Sequence, residues 1–135
     1  MRVVVDTSVW VSALISTIGA PTQVVTAMVT GRIIVVASPH LLEELSDVLN
    51  REKFRSWFSV EDGGEFVTQL AHRVELRPDV NNPTAATRDK DDDYLVALAY
   101  AYNARLVSVD KDLLDANLNP KALSPRELLQ LLREQ

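Results

Sequence analysis

The sequence contains no cysteine, which excludes a disulfide framework and any zinc site built on thiolates. Histidine is nearly absent as well, since only His40 and His72 occur. The sequence therefore offers no plausible serine–histidine pair for nucleophilic catalysis. We interpret both histidines as surface or capping residues and assign neither a functional role.

Positive charge is also scarce, because 14 Lys and Arg residues stand against 19 Asp and Glu residues, a net charge of -5. Such a balance argues against binding nucleic acid through a generally basic surface, although it allows a locally basic groove. No segment approaches the roughly 20 apolar residues of a membrane span. The apolar start reaches Asp6 too early for a signal peptide. We therefore expect a cytoplasmic protein with no membrane association.

A chain of 135 residues with 47% hydrophobic content can bury one core, so we expect a single domain over residues 1–135. Strand-like and helix-like patterns alternate along it, which predicts an α/β fold of three layers with a central parallel sheet between helices. Residues 9–16 are apolar but ambiguous, and residues 77–87 are predicted as a loop. The predicted strands are 2–5, 32–37, 106–109 and, more weakly, 73–76 and 121–123; the predicted helices are 22–30, one from residue 39, 60–72, 91–103 and 125–133.

Four acidic residues fall at comparable places in this pattern. Asp6 ends the first predicted strand and Asp110 ends a later one. Glu44 lies in the second turn of a helix that begins where the second strand ends, and Asp92 lies in the first turn of another helix. Because ligand sites form beyond the carboxyl ends of parallel strands, we expect these four side chains at one edge of the sheet.

Converging carboxylates repel one another unless a cation binds between them. Oxygen ligands without histidine or cysteine suit Mg²⁺ or Mn²⁺ rather than Zn²⁺. Carboxylate-bound ions of this kind support hydrolysis of phosphodiester bonds by water, with no protein nucleophile. The sequence therefore predicts a metal-dependent phosphodiesterase.

The motifs around these residues resemble, in order and over nearly the whole chain, those of PIN-domain ribonucleases. The similarity is greatest to the VapC-like toxins of prokaryotic type II toxin–antitoxin systems. The matching segments are Val-Val-Asp6-Thr-Ser8-Val-Trp, Ser38-Pro-His-Leu-Leu-Glu-Glu44-Leu, Arg88-Asp89-Lys-Asp-Asp92-Asp93-Tyr, Leu106-Val-Ser108-Val-Asp110-Lys-Asp112 and Leu123-Ser-Pro-Arg-Glu-Leu-Leu.

The resemblance implies a metal-dependent endoribonuclease that cleaves RNA, forms a homodimer and is inhibited by a small antitoxin. Its catalytic and metal-binding quartet would be Asp6, Glu44, Asp92 and Asp110, with Mg²⁺ or Mn²⁺ as the cofactor. The supporting residues would be Ser8, Ser108, Asp93 and Asp112.

The third acidic position of the quartet has three candidates, Asp91, Asp92 and Asp93. Asp92 is preferred because Ala99 then follows seven positions later, as in the family. A departure from the family is Val109, which occupies a position where relatives often have glycine.

Other interpretations remain open at the level of sequence. Taken singly, Asp6 and Asp112 are plausible helix caps and Glu44 a solvated helix residue. A phosphoacceptor receiver domain also carries an acidic pocket, but it requires an aspartate that ends the third strand and a lysine for which only Lys111 is available. A third alternative is a catalytically inactive PIN-like module that binds RNA or mediates assembly.

A basic and aromatic segment spans residues 51–58. Its mixture of cations and rings is compatible with an RNA-stacking surface. The helical spacing of Phe54, Trp57 and Phe58 instead favours a core or dimer contact. The cations available to attract phosphates are Arg32, Arg51, Lys53, Arg55, Arg88 and Lys111.

Overall fold

The computed structural model describes residues 1–81, 83 and 90–135, with residue 90 described by its backbone alone. Its elements alternate as predicted. They are β1 (Arg2–Val5), α1 (Thr7–Ile15), α2 (Ala20–Val29), β2 (Ile34–Ala37), α3 (Pro39–Leu49), a 3₁₀ turn (Glu52–Phe54), α4 (Val60–Arg73), β3 (Glu75–Leu76), a second 3₁₀ turn (Lys90–Asp92), α5 (Asp93–Ala101), β4 (Arg105–Val107), α6 (Lys111–Leu114) and α7 (Pro125–Arg133).

The strands form one parallel sheet in the order β3-β2-β1-β4. Val3 of the central strand β1 pairs with Val35 of β2, and Val5 pairs with Val107 of β4. The predicted strand at 121–123 is reduced to a single parallel bridge between Val107 and Leu123. The predicted parallel sheet is therefore confirmed.

Successive residues of β1 enter two different cores, because side chains alternate between the faces of a strand. Val3 and Val5 pack in one core with residues of α1, α3 and α7, whereas Val4 packs in another with residues of α5 and α6. All three valines are fully buried. Helices thus cover both faces of the sheet, and the predicted three-layer α/β/α fold is confirmed.

Three strands are shorter than predicted, and one of them is β3, which covers only Glu75–Leu76 because α4 continues to Arg73. The backbone amides of Arg32 and Ile33 bond to the Ala27 carbonyl at the end of α2, so β2 begins only at Ile34. β4 ends at Val107, and Val109 is 41% exposed. The prediction that the strand reaches Val109 is wrong, because residues 108 and 109 leave the sheet toward its carboxyl edge.

The helices also correct the sequence interpretation in detail. The ambiguous segment 9–16 is helix α1, with Trp10 only 1% exposed. The helix predicted over 91–103 begins as a 3₁₀ turn and ends its regular part at Ala101. Part of the loop predicted at 77–87 lies outside the described residues.

Helix α7 begins with a capping box, in which the Ser124 hydroxyl accepts from the Glu127 amide and the Glu127 carboxylate accepts from the Ser124 amide. We expect Ser124→Ala to lower the free energy of unfolding by about 1 kcal/mol. The bond from the Ser124 amide lowers the pKa of Glu127. The stabilisation that this bond gives the folded protein is therefore fully present above the ordinary glutamate pKa, and it is lost as the pH falls through the lowered pKa. Urea unfolding at neutral and acidic pH tests this, with the exposed mid-helix Ser46→Ala as control.

Within the described part of the chain, no single helix has both the length and the apolar character needed to cross a membrane. The consecutive pair α1 and α2, bent by 105° at their junction, meets that criterion together by length and composition alone.

Candidate active site

The carboxyl edge of the sheet borders a cleft of about 370 Å³, called here the acidic cleft. β1 delivers Asp6, the segment after β4 delivers Asp110, and α3, which follows β2, delivers Glu44. Asp92 reaches the same cleft from the N-terminus of α5. The residues that line it are Asp6, Thr7, Ser8, Val11, Ser12, Glu44, Val48, Arg51, Lys53, Phe54, Asp92, Val109 and Asp110. All four residues of the predicted quartet therefore share one cleft.

Asp6 is the most buried carboxylate of the four, with 5% exposure. Its Oδ2 accepts hydrogen bonds from the hydroxyls of Ser8 and Ser108, both at 2.8 Å. Its Oδ1 has a longer contact of 3.4 Å with the Thr7 hydroxyl. Although Asp6 occupies the N-cap position of α1, its side chain makes no capping bond. Side-chain hydroxyls, rather than backbone amides of α1, hold this carboxylate.

Ser108 connects the carboxylate of Asp6 to the backbone of Asp110. Its side chain is fully buried, donates to Asp6 and accepts from the backbone amide of Asp110 at 2.9 Å. Asp110 is itself the N-cap of the short helix α6, because its Oδ1 accepts from the Asp112 amide at 2.9 Å. The positions of Asp6 and Asp110 are therefore coupled through one hydroxyl.

Glu44 is half-buried and accepts a hydrogen bond at Oε2 from the Tyr94 hydroxyl. Burial is the largest cause that raises the pKa of Tyr94, followed by Glu44 and by the charges of Asp6 and Asp92. The phenol accordingly stays protonated and remains a donor. The His40 ring packs edge-on against the Tyr94 ring at 4.2 Å between centroids.

Tyr94 was missed by the sequence analysis as a candidate site residue. It lies in the quoted motif beside Asp93, but nothing in the sequence pairs a tyrosine of α5 with a glutamate of α3. A polar aromatic residue within the apolar stripe of a helix was the one available signal.

The three consecutive aspartates before and within α5 lie in different surroundings. Asp92 lines the acidic cleft, whereas Asp91 lines a neighbouring cavity together with Glu43 and His40. Asp93 is buried, with 5% exposure, and is not among the residues that line the cleft. Asp92 is thus the member of the run that the fold places with Asp6.

The structure also divides the predicted supporting residues. Ser8 and Ser108 contact Asp6 directly. Asp112 is exposed, and its backbone amide donates to Asp110. The acidic cleft lining includes neither Asp112 nor Asp93.

Among the predicted phosphate-attracting cations that the structure describes, two line the acidic cleft, Arg51 and Lys53. Arg32 donates to the Leu132 carbonyl on α7, and Arg55 donates to the Leu49 carbonyl at the end of α3. Their guanidinium groups thus bond to backbone carbonyls of neighbouring helices. Lys111 is exposed outside the cleft lining, and Arg88 lies outside the described residues.

The donors of the cleft are carboxylate and hydroxyl oxygens, which match the preference of Mg²⁺ and Mn²⁺ in kind. Among the residues that the structure describes, however, no three Asp, Glu or His side chains already form a cluster close enough to hold a metal ion. The residues therefore fit such an ion by chemistry. Binding would require carboxylates that line the cleft to move closer together.

Comparisons with known proteins bear on the family and the fold of the chain. A family model described as "PIN domain" matches residues 2–112. Uncharacterized protein MJ1680 of Methanocaldococcus jannaschii is 26% identical over 140 residues, covering 96% of this chain and 90% of the relative.

Two solved structures share the fold. PAE2754 from Pyrobaculum aerophilum superposes with a TM-score of 0.63 at 15% identity, covering 100% of this chain and 91% of that chain. The structure of VapBC2 from Rickettsia felis bound to a DNA fragment from its promoter superposes with the same TM-score and identity. The superposition covers 92% of this chain and 97% of that chain.

Proposed function

Because the chain belongs to the PIN-domain family, we propose that it is an endoribonuclease that uses Mg²⁺ or Mn²⁺ and the quartet Asp6, Glu44, Asp92 and Asp110. The observation that carries the proposal is that the four motif carboxylates, distant in sequence, line one cleft. The receiver-domain alternative loses its support, because β3 is an edge strand that ends at Leu76 without an aspartate.

The residues of the cleft divide the work of hydrolysis. A divalent ion bound there would supply an activated water and positive charge for the departing oxygen. Ser8 and Ser108 hold Oδ2 of Asp6, so Oδ1, which has the longer Thr7 contact, would be the oxygen available to an ion. The Tyr94 hydroxyl donates to Oε2 of Glu44 in the same way, so Oε1 would be the oxygen of Glu44 available to an ion. The protein thus presents oriented oxygens and contributes no nucleophile of its own.

We further propose that the protein is a VapC-like toxin, acts in the cytoplasm as a homodimer and is inhibited by a small antitoxin. The support is the structural similarity to VapBC2 together with the order of the motifs. A catalytically inactive PIN-like module is the competing proposal. It predicts RNA binding without turnover.

The chemistry of the cleaved ends tests the proposed mechanism. Attack by water requires no 2′-hydroxyl on the RNA, so a substrate methylated at every 2′-oxygen should still be cleaved and no 2′,3′-cyclic phosphate should form. Mass spectrometry of the products measures both. Cyclic phosphate ends would contradict hydrolysis by water.

Replacing Tyr94 by phenylalanine should weaken Mn²⁺ binding, because Glu44 then loses the donor that holds its Oε2. Residues that orient a metal ligand typically contribute about 10- to 100-fold in affinity or activity. Isothermal titration of Mn²⁺ measures the loss directly. The matched control is Tyr102→Phe, which removes a hydroxyl bonded to the Pro78 carbonyl and should leave the affinity unchanged. Equal Mn²⁺ affinities of the Tyr94 variant and the wild type would refute a positioning role.

A further inference from the structure

The turn between α3 and α4 presents an exposed tryptophan beside the acidic cleft. The ring of Trp57 is 55% exposed, whereas Phe54 and Phe58 are each 8% exposed and belong to the core. Of the two predicted roles, a core or a dimer contact, the core role is confirmed for the two phenylalanines and is wrong for Trp57, for which the dimer contact stays a prediction. The Trp57 ring lies 6.4 Å from the ring of Phe54, which lines the cleft. An accessible indole thus stands one ring away from the cleft wall.

The same turn carries the cations of the cleft. Arg51 and Lys53 are exposed and line the cleft on the side of Phe54, and the Lys53 ammonium lies 5.2 Å from the centre of that ring. Neither forms an ion pair with a carboxylate in the described part of the chain. Their charge is therefore available to an anionic ligand that enters the cleft.

We propose that Arg51, Lys53 and Trp57 form a binding platform for single-stranded RNA, with phosphates on the two cations and one base stacked on Trp57. This inference rests on the proposed nuclease function, because the strand would be the one whose phosphodiester enters the cleft. Stacking on an aromatic side chain requires an unpaired base, which favours a single strand over a duplex.

Charge favours RNA over a protein partner as the occupant of this platform. An exposed tryptophan is also a common anchor in protein interfaces. Here, however, the indole and the Lys53 ammonium both lie close to the Phe54 ring, in a chain of net charge -5. Phosphates are the complementary group, and they are what a nuclease cleft must attract despite its own carboxylates.

The two tryptophans of the chain make the stacking measurable. Trp10 is 1% exposed and Trp57 is 55% exposed, so a base that stacks on the protein quenches the fluorescence of one indole only. The experiment titrates the whole protein with a short fluorescein-labelled single-stranded RNA of random sequence, with metal chelated to prevent cleavage. Tryptophan emission reports stacking, and fluorescein anisotropy independently reports binding.

We expect saturable quenching of the wild type and a loss of about 5- to 100-fold in affinity for Trp57→Ala. Trp57→Phe keeps an aromatic face and should retain most of the affinity. Lys53→Gln should reduce the slope of log affinity against log salt by about 0.7, the value for one phosphate of a single strand. The matched control is Lys121→Gln, a lysine outside the cleft lining, which should leave that slope unchanged.

Three results would overturn the platform: no binding at low salt, binding without quenching, or equal affinities of Trp57→Ala and the wild type. The proposed nuclease activity is judged separately by cleavage with metal present. Quenching with no cleavage would support the platform and refute the nuclease. Cleavage without tryptophan quenching and without a loss of affinity in Trp57→Ala would support the nuclease and refute the platform.

Discussion

Asp6→Asn is expected to lower RNA cleavage by more than about 100-fold while the protein remains folded. Removal of a residue that merely orients a metal ligand costs about 10- to 100-fold, and loss of a ligand charge should exceed this. The amide oxygen of asparagine can still accept from Ser8 and Ser108, so the buried hydrogen bonds keep a partner. The hydrogen bonds lose charge assistance, but repulsion from the other carboxylates decreases. We expect these two effects on stability to offset each other largely.

Thermal unfolding with and without Mn²⁺ separates the site from the fold. A ligand at 100 times its dissociation constant stabilises a protein by about 2.7 kcal/mol. Mn²⁺ should therefore raise the melting temperature of the wild type and have little effect on Asp6→Asn. The control is Asp62→Asn, which neutralises an exposed aspartate in the first turn of α4, outside the cleft lining, and should respond to Mn²⁺ like the wild type. A Mn²⁺ response of the same size in Asp6→Asn would remove Asp6 from the metal site.

Ser108→Ala is expected to impair both stability and cleavage, since this one hydroxyl joins Asp6 to the Asp110 amide. The side chain is fully buried, and a buried group left without its partner costs about 1–3 kcal/mol. Loss of the coupling should reduce cleavage by about 10- to 100-fold, as for other residues that orient metal ligands. Urea unfolding and initial cleavage rates measure the two effects.

Ser12→Ala is the matched control for Ser108, because Ser12 lines the same cleft but its hydroxyl donates to the Ser8 carbonyl within α1. It should retain nearly wild-type cleavage. Equal effects of the two substitutions would mean that the Asp6–Ser108–Asp110 connection has no special role.

The sheet and the position of its carboxyl edge were predictable because the determining signals are local. The continuous β-branched residues of Arg2–Val5 form a strand buried on both faces, and Ser124 followed by proline begins α7 as predicted. Once the strands are parallel, the residues after them must share an edge. The grouping of Asp6 with Asp110 therefore follows from sequence alone.

The hydrogen bonds within the site depend on contacts between distant segments and could not be predicted in this way. Tyr94 meets Glu44 across 50 residues, and Ser108 meets Asp6 across 102. The different burial of Phe54 and Trp57 could not be predicted either, because helical spacing places the two side chains on one face. A 3₁₀ turn at Glu52–Phe54 interrupts the helix, which buries Phe54 and leaves Trp57 exposed.

The central claim is that the acidic cleft cleaves RNA with a divalent metal. The most direct measurement is the cleavage rate of a mixed RNA pool as Mg²⁺ or Mn²⁺ is added. The wild type and Asp6→Asn are purified in parallel, freed of metal and titrated in the same way. We predict no cleavage with chelator, a rate that rises and saturates with metal for the wild type, and no comparable rise for Asp6→Asn. Equal cleavage by the two proteins, or cleavage that persists undiminished with chelator, would contradict the claim.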